Sequence, residues 1–90
     1  MAEVMTGAWT AYSTEISAEQ KALLAKAVGI GVSYDPIAVA TQVVAGVYYR
    51  FLCNAKVVSP NAPTECKLVQ FYVPIGSEDP TQLSIQNVPC

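Results

Sequence analysis

Ninety residues, 52% of them hydrophobic and only 13% charged, describe one compact domain, because the chain is too short to divide and too apolar to remain disordered. The formal net charge of −2 comes from charges scattered along the chain with no basic run, which argues against nucleic acid as a partner. No histidine is present, so the usual general base and the commonest zinc ligand are both missing; neither an enzyme nor a metal or cofactor site is expected.

The first fourteen residues, MAEVMTGAWTAYST, have neither the basic start nor the apolar core of a signal peptide. No apolar run is long enough to cross a membrane, so the chain as given reads as soluble. Trp9 is expected to pack on the sheet of the domain, with contact to a partner protein as the competing role. Ser17 followed by Gln20 forms a capping-box pattern, which starts a helix. Ile16, Leu23, Leu24, Ala27 and Val28 then recur at steps of three and four, giving one apolar stripe, and Gly29 offers a left-handed stop. The helix is expected within about residues 14–30. Ser33, Asp35 and Pro36 read as turn residues.

From Ile37 to Cys53 the chain is rich in β-branched and aromatic residues, with Tyr49, Phe51 and Cys53 in one alternation phase and Tyr48, Arg50 and Leu52 in the other. Ala45-Gly46 interrupts it. Asn54 to Glu65, with Ser59, Pro60, Asn61 and Pro63, has the composition of a loop. Cys66 to Val73 is a further strand, residues 74–80 are a turn, and Thr81 to Val88 is the last strand. One helix followed by consecutive strands predicts an α+β domain spanning residues 1–90, with the helix packed across an antiparallel sheet of four or five strands. Tyr49, Phe51 and Cys53 should face the helix together with Leu24 and Val28. The carboxylates of Glu15, Glu19, Asp35, Glu65, Glu78 and Asp79 fall in caps, turns and exposed faces, where solvation is their expected role.

Gln42-Val43-Val44-Ala45-Gly46 matches the Gln-x-Val-x-Gly signature of the cystatins, and it lies where their first hairpin loop lies. Val47-Tyr48-Tyr49-Arg50-Phe51 resembles the strand that follows the signature in that family. Cys66 to Pro74, CKLVQFYVP, is similar to the strand leading into the second hairpin, which in secreted cystatins ends in Val-Pro-Trp. The resemblance covers residues 36 to 75 and the order of elements over most of the chain. It implies a cystatin-like fold and reversible inhibition of papain-like cysteine proteases of the cathepsin type. The residues that would bind the protease are Gly7 in the N-terminal arm, Gln42, Val43, Val44, Ala45 and Gly46 in the first hairpin, and Pro74 and Ile75 in the second. Gly46 would permit a positive φ in a tight turn and a close approach to a cleft wall. Ile75 stands where secreted cystatins have Trp, which reduces the aromatic area of that contact. A monomer is expected, with strand exchange through the first hairpin as the route to a dimer. The competing reading is a binding module on the same fold that does not inhibit proteases.

Three cysteines leave the redox compartment open. Cys66 opens one strand and Cys90 ends the next, so antiparallel pairing brings them together, and the resemblance implies the same disulfide. Cys53 with Cys66 is the competing pair; otherwise Cys53 is a buried apolar residue. A native disulfide argues for a secreted protein, whereas a Met start without a leader argues for the cytoplasm, as in the stefins.

Overall fold

The computed structural model of the chain describes residues 8–29, 31–57 and 59–89. Its elements are one helix, α1 (Ala18–Val28), and four strands, β1 (Val32–Val44), β2 (Gly46–Val57), β3 (Thr64–Pro74) and β4 (Thr81–Val88). The strands form one antiparallel sheet in the order of the sequence, with the helix on one face, an α+β arrangement as expected. No helix among the described residues is long and apolar enough to cross a membrane.

The helix starts where its chemistry predicts. The Gln20 backbone N–H donates to Ser17 Oγ, and the Ser17 backbone N–H donates to Gln20 Oε1, both at 3.0 Å. These bonds satisfy amides that the first turn cannot. At the other end Gly29 has φ +70 and ψ −149, a region essentially reserved for glycine, and its N–H closes on the Ala25 carbonyl at 3.1 Å. The positive φ was foreseen; the backbone takes a different ψ from the left-handed helix.

Register decides which side chains meet, because cross-strand partners share a face. On the helix side stand the rows Val39, Phe51, Val69 and Thr41, Tyr49, Phe71. Phe51, Cys53, Val69 and Phe71 are fully buried, and Leu24 of the helix joins them at 3% exposure. Ile16, Leu23, Ala27, Val28 and Tyr49 pack around this cluster, so both the helical stripe and the strand phase face the core as expected. Tyr49 and Phe51 each stack on Phe71, with centroids 5.5 and 5.7 Å apart.

Several boundaries differ from the sequence reading: besides those that follow, β3 takes in Thr64 and Glu65 from the expected loop and Pro74 from the expected turn. Ser33, Asp35 and Pro36 lie within β1 rather than in a turn, and residues 54–57 extend β2 rather than opening the loop. Over this stretch β1 is an outer strand, where a proline costs no ladder bond if its nitrogen points away from the partner, and the register shift between Pro36 and Ala38 absorbs the rest. The polar residues Asn54 and Lys56 alternate with Ala55, which is 3% exposed, so the segment is amphipathic strand rather than loop.

An N-terminal arm pairs with β1, and its Trp9 ring lies on the sheet face away from the helix. Trp9 bridges to Gln42 and Ser13 to Val39, both antiparallel, so the arm runs along the free edge of β1. Ser13 and Val39 exchange backbone bonds of 2.9 Å, and Thr10 N–H donates to the Thr41 carbonyl at the same distance. Trp9 packs on the sheet as expected. Its ring lies 4.0 Å from the Arg50 guanidinium, whose Nε and Nη2 donate to Gln70 Oε1 at 3.0 and 2.9 Å.

Cys53 is fully buried and free, as an apolar core residue would be, and Cys66 is disulfide-bonded. Cys66 pairs in register with Val88; Cys90 lies outside the described residues. Burial, with a smaller contribution from the Asp35 carboxylate, pushes the Cys53 thiol from an ordinary 9.0 up to about 11. The folded state therefore keeps this thiol protonated at pH values where the unfolded chain ionises it. Its contribution to stability is intact below about pH 9 and is lost as pH rises from 9 towards 11. Cys53 is expected to ignore Ellman's reagent at pH 8 in the native protein and to react with one equivalent in guanidinium. Rapid labelling of native protein would contradict its burial.

Candidate functional site

The two segments singled out in the sequence, residues 42–46 and 74–75, are 28 or more positions apart in the chain yet meet at one end of the sheet. Val44 pairs with Gly46 across a turn whose only intervening residue is Ala45, and Gly46 pairs in turn with Pro74. The tips of the β1–β2 and β3–β4 connections are thereby laid side by side. Trp9 of the arm lies at the same end, since it is the bridge partner of Gln42. Gly7 lies outside the described residues.

A tyrosine that the sequence reading did not single out fixes the first tip. Tyr72 Oη donates to the Ala45 carbonyl at 2.5 Å, while its ring packs on Tyr48, centroids 4.7 Å apart. Tyr48 in turn meets Trp9 at 6.4 Å. The only hint in the chain was that Tyr72 follows the buried Phe71, so that one of the two had to face away from the helix.

Gly46 has φ +136, so the expectation of a positive φ holds. The bare backbone also serves the fold itself. A Cβ built on Gly46 would lie 2.6 Å from both Tyr72 Oη and the Val73 carbonyl oxygen. The missing side chain makes room for the protein's own third strand.

Exposure at the tips is uneven. Ile75 is 80% exposed, the most exposed large apolar residue among those described, and Val43 is 52% exposed. Ala45 is exposed as well, while Gln42, Val44 and Pro74 are half-buried. The second tip is a tight turn closed by Ser77 N–H on the Pro74 carbonyl at 3.1 Å, with Gly76 at φ +76 in the position where such turns favour glycine. Beyond it, Lys26 of the helix donates to the Glu78 carbonyl at 3.3 Å and lies 3.6 Å from Asp79. The helix is thus tied to the second tip.

Beneath the tips, on the helix side of the sheet, lies a cavity of about 450 Å³. Its cause is a mismatch of lengths. An 11-residue helix spans ~16 Å, whereas a 13-residue strand extends ~43 Å, so the helix cannot cover the whole of β1 and β2.

The chain matches no protein-family model, and no curated protein or solved structure is significantly similar to it. The fold and the site geometry therefore carry the functional argument.

Proposed function

We propose that this chain is a cystatin-like, reversible inhibitor of papain-like cysteine proteases, occluding the active-site cleft with its two hairpin tips and the N-terminal arm. The observation that carries this reading is the register pair Gly46–Pro74, which sets the signature segment 42–46 beside Pro74-Ile75 at the sheet end where Trp9 of the arm bridges to Gln42. Val43, Ala45 and Ile75 offer exposed apolar surface there, whose burial would contribute on the order of 25 cal/mol per Å² before ordering costs are subtracted. Those costs are small, because the first tip is held by the Tyr72 bond and the second by its own turn and by Lys26. Such a wedge works without chemistry: it fills the cleft and presents no peptide bond to the nucleophile. The disulfide partner of Cys66 in this reading is Cys90, and the active species is the monomer.

Titrating papain with the protein while following a fluorogenic peptide substrate tests the proposal. Activity is expected to fall in a saturable, reversible manner. Ile75→Asp should raise the inhibition constant at least tenfold with little change in Tm, since Ile75 contacts little of its own fold. Full papain activity at micromolar concentrations of folded protein would overturn the proposal and favour a binding module that does not inhibit.

A further inference from the structure

We infer that the cavity beneath the hairpin tips is a binding site for a small amphiphilic amine, an apolar body carrying a single ammonium group. Its volume, about 450 Å³, falls within the roughly 300–1,000 Å³ typical of small-molecule sites. Val47 and Val73 from the sheet and Leu23 from the helix form apolar walls, and Tyr49, stacked on Phe71, adds an aromatic surface. An apolar body with an aromatic ring suits such walls.

The rim gives the charge. Three ionisable side chains besides Tyr49 line the cavity: Glu19, Lys26 and Glu78. Lys26 is already engaged, its ammonium lying 3.6 Å from the Asp79 carboxylate and donating to the Glu78 backbone carbonyl. Neither the Glu19 nor the Glu78 carboxylate has an ion-pair partner among the described residues. The site is left with two uncompensated negative charges above apolar walls, a field that attracts a cation and repels a carboxylate. Glu19 acts on the cavity interior: its charge, after burial, helps to raise the pKa of the Tyr49 hydroxyl.

The cavity depends on the short helix and on the loop that Lys26 holds, not on whether the tips enter a protease. The test is an NMR titration of the ¹⁵N-labelled protein with three isosteric probes at pH 7: 4-phenylbutylamine, 4-phenylbutan-1-ol and 4-phenylbutanoate. The amine should produce saturable shifts at the amides of Ala22, Val47 and Gly76, with a Kd at least tenfold below those of the alcohol and the acid. Glu19→Gln combined with Glu78→Gln should bring the amine to the level of the alcohol. Ala22→Trp, on an exposed helix position lining the cavity, should abolish binding of all three while the spectrum stays dispersed. Shifts that fail to saturate, shifts confined to other residues, or equal affinity for amine and acid would each overturn the inference.

Discussion

Phe71→Ala is expected to remove about 3–5 kcal/mol of folding stability, the cost of deleting a large, fully buried aromatic side chain. Phe71 is stacked on both Tyr49 and Phe51, so its removal takes one ring partner from each and leaves only their stacking on one another. Small domains hold only about 5–15 kcal/mol in total. The variant should therefore show a much lower urea midpoint, with a substantial unfolded population at 37 °C. Leu83→Ala on β4, where the side chain is 46% exposed, serves as the comparison and should shift stability by no more than about 0.5 kcal/mol. Equal midpoints for the two variants would mean that the core is not centred on Phe71.

Gly46→Ala comes next in size, with an expected loss of about 3 kcal/mol. Two costs combine. A non-glycine residue at φ +136 is strained by about 1–3 kcal/mol, and the new methyl would lie 2.6 Å from the Tyr72 hydroxyl and the Val73 carbonyl. Tyr72→Phe alone should cost about 1 kcal/mol, the worth of its bond to the Ala45 carbonyl. In the Gly46→Ala background the same change should cost somewhat less, because it removes the hydroxyl at 2.6 Å although the Tyr72 ring carbon stays 2.8 Å from the new methyl, and a double-mutant cycle by urea denaturation measures the difference. A Gly46→Ala protein within 0.5 kcal/mol of the parent would refute the packing described at the first tip. The same geometry makes Gly46 a poor probe of protease contact, since any substitution disturbs the hairpin first. Ile75, which projects into solvent, is the cleaner one.

Local chemistry was the most legible part of the chain. The Ser17–Gln20 capping box, the apolar helical stripe and the alternation of Tyr49, Phe51 and Cys53 all express short-range rules, and each has its counterpart in the fold. The β1–β2 turn at Ala45-Gly46 was visible for the same reason. What escaped the reading were features set by distant partners. Ser33, Asp35 and Pro36 favour turns in isolation, yet a register with Lys56, Asn54 and Cys53 draws them into a strand. Residues 54–57 look like loop until the burial of Ala55 gives them a face. The Tyr72 latch joins residues 27 positions apart, and the cavity arises from the relative lengths of helix and hairpin rather than from any motif. Within the candidate site, the sequence named the residues at both tips, but only the register places Gly46 beside Pro74.

The position of Trp9 has a practical consequence. It is the sole tryptophan, and it sits on the arm, over Arg50 and Tyr48, on the sheet face opposite the core. Its ultraviolet emission is therefore a gauge of arm docking, sensitive to the cation at 4.0 Å, whereas far-ultraviolet ellipticity reads the helix and sheet. Spectroscopic melts by the two signals follow different parts of the molecule. An arm that peels away before the sheet opens would register in the emission alone, and a ligand seated against the arm would change the emission without any change of fold.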